Sequence, residues 1–248
     1  MKNFFGIMQG RLLPKFNGNF QAHPLGYWQD EFKIASEFGF DCIEFILDYY
    51  KSELNPLLID SELETISLLS KKNNISIKSI CADYFMHSPI FFDDPKTKSQ
   101  NKKVLKKLIK NANILGVKDI IIPLVDNSSI LNDFPSQLKA SNFFKEILKE
   151  TNLIDVNICL ETDLPPFRFL EFVQSLNSSK VKINYDTGNS ASLGYKFTEE
   201  LEFYGHLVSN IHIKDRKFGD GSVPLGTGDC NFKKFFEYLS KKNYQGLF

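Results

Sequence analysis

"MQGRLLP", Met8 to Pro14, follows an apolar run, "FFGIM" at 4–8, that reads as a first β-strand. In a doubly wound sheet that binds a dinucleotide, the turn after this strand carries G-x-G-x-x-G, because glycines let the backbone approach a pyrophosphate. Here the turn holds one glycine, Gly10, followed by Arg11. It therefore favours the other common architecture of repeated βα units, a closed barrel whose site lies at the carboxyl ends of the strands.

Working outward, six more runs read as strands: "DCIEFI" at 41–46, "ISIKSICA" at 75–82, "KDIIIPLV" at 118–125, "VNICLE" at 156–161, "VKINYD" at 181–186 and "SNIHIK" at 209–214. Amphipathic segments alternate with them, among them "SELETISLLSKKNN", "KKVLKKLIKNANILG", "SNFFKEILKETN" and "NFKKFFEYLSKKN". Several end in Gly or Asn, and "DLPP" puts proline where a first helical turn tolerates it. No low-complexity linker interrupts the series, so 1–248 reads as one domain. Seven units are complete, and Gly246, Leu247 and Phe248 look like the first residues of an eighth strand. The expected fold is an α/β TIM (β/α)8 barrel that stops at the start of strand eight; an open doubly wound sheet is the alternative. Such an open barrel leaves the edges of its first and seventh strands for a second copy to cover, which makes a homo-oligomer an expectation.

Thirty Lys and Arg balance thirty Asp and Glu among 248 residues, so no global field favours nucleic acid or an acidic membrane. The four cysteines form no C-x-x-C pair and sit mostly in apolar runs, as reduced core residues do. The N-terminal "MKNFFGIMQGR" is broken by Gly6, Gln9 and Arg11, and no apolar run approaches the length of a membrane span. A cytoplasmic protein without nucleic-acid or membrane partners is expected. Most of the 24 phenylalanines read as core.

Polar side chains recur at the strand ends: Gln9 and Arg11, Glu44, Asp83, Glu161, Asp186, then His212 and Lys214. Two carboxylates and an imidazole, Glu161, Asp186 and His212, suit a divalent ion such as Mn²⁺, Mg²⁺, Co²⁺ or Zn²⁺. A lone Glu at a strand end is more often a salt-bridged structural group, and a lone His on an apolar run a satisfied core residue. Three at the same level of a barrel mouth favour a metal.

These segments carry a resemblance. "CLETDLPP", "INYDTGNSASLGY", "NIHIKDR" and "VPLGTGD", with "GIMQGRL", "GFDCIEF" and "ICADYFM" earlier, look like the sugar phosphate isomerase/epimerase family of xylose isomerase-like TIM barrels. The resemblance implies a divalent metal held by Glu161, Asp186, His212 and a fourth group from strand eight, which would lie past Phe248. It also implies Glu161 as the base that moves a proton beside a carbonyl, giving an enediolate that the metal stabilises. The substrate would be a small sugar or sugar phosphate. Asn189 stands where similar epimerases often have a histidine that holds a substrate hydroxyl, and Arg216 matches a substrate-contacting arginine.

Other candidates are less marked. Lys214 could meet a phosphate or pair with Asp186 or Glu161, and Arg11 reads equally as an anion contact or a barrel-floor salt bridge. Glu44 reads as a support to the ligands or a contact to a hydroxyl; His87, in the loop after the third strand, as a substrate contact or a surface residue. His23 and His206 look unremarkable, and the "LGTGD" glycines fit a turn leading to a helix cap at Asp229 or Asn231. Two relatives in mechanism or fold compete: a keto-polyol dehydratase, and an apurinic-site endonuclease. The latter needs extra histidines for three zinc ions, and the loop "KFGDGSVPLGTGD" has none. An inactive product with an unfinished barrel is a third alternative.

Overall fold

The computed structural model describes residues 3–131, 133–151 and 156–248. Seven parallel strands form one sheet in sequence order: β1 (Gly6–Met8), β2 (Cys42–Ile46), β3 (Ser76–Cys81), β4 (Asp119–Leu124), β5 (Asn157–Thr162), β6 (Val181–Asp186) and β7 (Val208–His212). Each coincides with one of the seven apolar runs. Helices α1 (Asp30–Glu37), α2 (Glu62–Asn73), α3 (Tyr84–His87), α4 (Pro95–Leu115), α5 (Phe134–Glu150), α6 (Pro166–Ser175), α7 (Thr187–Leu193), α8 (Phe197–Tyr204) and α9 (Phe232–Lys241) lie between and after them. A short hairpin, β8 (Asp215–Arg216) with β9 (Ser222–Val223), rises from the loop after β7.

The strands alternate as a barrel requires. Ile43, Ile80, Ile120, Ile122, Ile158, Leu160, Ile183 and Ile211 join the layer of side chains shared with the helices, and Met8, Cys81, Ile121 and Cys159 fill a small separate cluster. Five fully buried phenylalanines, Phe32, Phe45, Phe85, Phe143 and Phe144, anchor the outer layer, where truncation of one to alanine costs about 3–5 kcal/mol. Against the expectation of a mostly buried set, ten phenylalanines are exposed; Phe4, Phe5 and Phe236 are among them, beside Phe248. All four cysteines are free and three are buried, as expected.

Leu247 and Phe248 occupy the eighth strand's place. Ile211 N donates to Leu247 O at 3.0 Å, while Gly6 N donates to Phe248 O at 2.7 Å and Phe248 N to Phe4 O at 3.0 Å. Residue 247 thus bridges β7 and the approach to β1, so at this level the two outer edges are not free, contrary to the open-edge expectation.

Helix starts were placed too late in sequence for α4 and α5. Asp94, whose side chain accepts from Thr97 N at 2.7 Å, caps α4 ahead of Pro95, and α5 opens at Phe134 and Pro135. The expected end of the segment "SNFFKEILKETN", Asn152, lies outside the described residues. His87 ends the short helix α3 rather than lying in a loop, and Asn231, not Asp229, caps α9. Among the described residues, no helix is long and apolar enough to cross a membrane.

Candidate active site

Parallel register brings the polar strand ends together. β6 and β7 pair Asp186 with His212 and Asn184 with Asn210, so these four side chains enter the barrel side by side. Glu161 comes from the end of β5 and Glu44 from β2 across the mouth. Ligand atoms of Glu161, Asp186 and His212 all lie within 4.8 Å of one another, with both carboxylates buried.

The imidazole of His212 is held on both sides. Nε2 lies 2.8 Å from Glu44 Oε1, and Nδ1 lies 3.1 Å from Asn184 Nδ2 and 3.6 Å from Glu161 Oε2. Asn184 uses that amide to donate to Glu161 Oε2 at 2.6 Å, and its oxygen accepts from Asn210 at 2.7 Å. The amide orientation of Asn184 is thus set by its neighbours, and Nε2–H donates to Glu44 while Nδ1 is turned toward Asn184 and Glu161. Ser79 and Asn210 donate to the other Glu44 oxygen, at 2.5 and 3.3 Å. A carboxylate behind one nitrogen of a histidine, with the other facing two further carboxylates, is the arrangement that orients a metal-binding imidazole.

Electrostatics point the same way. Burial, and then the adjacent Asp186 charge, push the Glu161 carboxyl up to about 7 despite His212 and Lys214. Burial opposes charge on His212, but Glu44, followed by Glu161 and Asp186, carries its pKa up to about 10. Burial also works against ionised Glu44, yet His212 holds that carboxyl below its ordinary range. Two carboxylates that repel each other around a nitrogen that gathers positive charge form a site with unmet demand for a cation, so the donor set fits a divalent ion.

Asn189, Lys214 and Arg216 complete one flank. Asp186 accepts from Asn189 N at 2.7 Å as the cap of α7, which projects the Asn189 amide to donate to Glu161 Oε1 at 2.6 Å. The Asn189 oxygen accepts from Lys214 Nζ at 3.1 Å and Arg216 Nη1 at 3.0 Å, and Lys214 Nζ lies 3.6 Å from Asp186 Oδ2. Gly188 permits this packing, because a Cβ there would meet Lys214 Cγ at 2.8 Å and Arg216 Cγ at 3.1 Å.

Arg11 and His87 stand apart from this group. Arg11 is exposed and reaches Gln21 Oε1 at 3.4 Å, so its partner is an amide rather than the floor carboxylate of the salt-bridge reading. Gly10 beside it has φ +85° and would bring a Cβ to 2.6 Å from Phe20 O; the turn's glycine serves its own backbone. His87 is exposed on a cleft over the first three units, its ring 6.1 Å from that of Tyr49. Asn184, Asn210 and Ser79 were missed as site residues. Asn184 and Asn210 each lie two residues before a named ligand, and the period of two that identified the strands places them on the ligand's face.

Residues 32–248 match the model of the xylose isomerase-like TIM barrel family, and the chain belongs to that family. It is similar to L-ribulose-5-phosphate 3-epimerase UlaE of Shigella flexneri serotype 5b (strain 8401), 24% identical over 236 residues that cover 91% of this chain and 82% of the relative. Among solved structures, D-psicose 3-epimerase with D-tagatose from Clostridium cellulolyticum H10 superimposes with a TM-score of 0.78 at 18% identity, covering 98% of this chain and 83% of that one. The 3-keto-D-glucoside 4-epimerase YcjR from E. coli gives a TM-score of 0.71 at 15% identity, covering 99% and 90%.

Proposed function

We propose that the chain is an epimerase or isomerase of a small sugar, acting with a divalent ion of the Mn²⁺, Mg²⁺, Co²⁺ or Zn²⁺ class held by Glu161, Asp186 and His212. The observation that carries this reading is the convergence of those three ligand atoms within 4.8 Å at the barrel mouth. Relatives named as sugar epimerases support the choice of reaction. When bound, such an ion supplies Lewis-acid stabilisation of negative charge on a carbonyl oxygen.

The proton work falls to Glu161. Its carboxylate stands at the end of β5 within the ligand group, where it can take a proton from the carbon beside a carbonyl and return it. Asn184 and Asn189 each donate to one of its oxygens, which fixes the carboxylate plane and limits its approach to a substrate carbon. Glu44 holds the proton on His212 Nε2, so Nδ1 is the nitrogen that would take the ion. Lys214 and Arg216, drawn to Asn189, place positive charge beside the site where an oxyanion develops.

A dehydratase would use the same proton abstraction, and product analysis separates it. For an endonuclease with several zinc ions, the described residues provide a single three-residue ligand group. The test is epimerisation of L-ribulose and L-ribulose 5-phosphate by the full chain, with and without Mn²⁺ after chelation. Metal-restored exchange of the proton beside the carbonyl supports the reading; equal exchange in the chelated protein refutes it.

A further inference from the structure

At the carboxyl ends of the strands a cleft of about 490 Å³ opens, lined mostly by the loops of the first three βα units. Asp48 and Asp83, just past β2 and β3, stand in its wall with Gln21 and His23 of the first loop. Asp83 follows β3, the strand that pairs with β2 and sets Ser79 beside Glu44.

The two carboxylates of this wall accept from neutral donors. Asp48 Oδ2 accepts from His23 N at 2.7 Å, and Asp83 accepts from Gln21 Nε2 at 3.0 Å and Cys81 Sγ at 3.2 Å; none of these donors is a cation. His23 is only 5% exposed. Its Nδ1 lies 3.0 Å from Gln9 Oε1, an oxygen that also accepts from Ile46 N, so Nδ1 carries the proton. Nε2, on the other side of the ring, is buried and has no partner among the described residues. Burial lowers the His23 pKa to about 4, which leaves the ring neutral and Nε2 an acceptor. Apart from His23, the lining residues that can carry positive charge are Lys51 and His87, both exposed.

Resting on the epimerase reading, we propose that this cleft takes the hydroxylated tail of an unphosphorylated ketose, with Asp48 and Asp83 accepting from its hydroxyls. A hydroxyl can donate to every one of these groups. A phosphate dianion brings acceptors only, into a space where two carboxylates repel it. The paired cations of the mouth, Lys214 and Arg216, lie on the other flank and already share the Asn189 oxygen.

L-ribulose and L-ribulose 5-phosphate differ only in the phosphate, so the pair isolates the question. The full chain with Mn²⁺ is assayed for turnover of each and titrated calorimetrically with each. The free ketose is expected to have a kcat/KM at least about tenfold higher, the scale of one hydrogen bond to a charged group. Asp48→Asn and Asp83→Asn are each expected to raise its KM roughly tenfold, to leave kcat within about threefold, and to narrow the discrimination against the ester. Equal or better turnover of the phosphate ester overturns the cleft assignment and leaves the epimerase reading standing. Binding of the free ketose that depends on Asp48 and Asp83, without turnover, supports the cleft and removes the epimerase reading. Binding of neither sugar overturns the cleft assignment.

Discussion

The two flanks of the barrel mouth are built on opposite terms. Over units five to seven, Glu161, Asp186, His212, Asn189 and Lys214 are tied to one another by short contacts. Over units one to three there is a cleft, and two buried atoms beneath it, Gln9 Nε2 and His23 Nε2, have no partner among the described residues. A saturated network holds its members in one geometry, which suits groups that must meet a reacting carbon repeatedly. Loose ends and space suit the part of a ligand that is recognised but not changed.

The comparison can be broken most sharply at Glu161. Replacing it with glutamine keeps the size but removes the proton acceptor and turns an NH2 group toward one of the two asparagine donors; turnover is expected to fall about a thousandfold. Melting temperature should change little, because relief of the repulsion with Asp186 offsets the lost asparagine bond. Activity within tenfold of wild type would move the proton role to another group. Glu44→Gln comes next: an amide oxygen can still accept from His212 but without the charge that raises the ring's basicity, and Mn²⁺ affinity measured by calorimetry is expected to weaken roughly 10- to 100-fold.

The cleft flank has its own probe in acid. His23 is lowered from 6.5 to about 4 in the folded chain, so its neutral form favours the fold above pH 6.5 and that contribution is lost as pH falls toward 4. The loss amounts to on the order of 3 kcal/mol. Denaturant midpoints for His23→Gln against wild type across this window should converge as pH falls; parallel curves would mean that the ring does not titrate as its burial dictates. Arg11→Ala sits at the small end. An exposed guanidinium with one long contact to Gln21 is expected to shift KM less than about twofold.

The sequence showed the strands clearly because a barrel repeats one pattern: a short β-rich run, a turn, an amphipathic helix. All seven runs became strands, and the ligand residues stood out because a carboxylate or imidazole ending an apolar run is chemically conspicuous. Asn184 and Asn210 were not conspicuous, since a neutral amide in a strand announces nothing until its neighbours across the barrel are known. The β8–β9 hairpin and α7 were likewise hidden. Asp215 organises the loop after β7 by accepting from the backbone of Gly226, Gly228 and Cys230, contacts made across a gap that no local pattern spans. The cleft escaped for the same reason, being formed by three loops that meet only in the folded chain.

The backbone bonds that Leu247 and Phe248 make to residues near both β1 and β7 have a dynamic consequence. Strands from the two extremities of the sequence share a fastener two residues long, so neither can fray without disturbing the other's hydrogen bonds. Amide hydrogens of Gly6, Ile211 and Phe248 should therefore exchange with solvent as one cooperative unit, at a common rate that tracks the opening of this short seam.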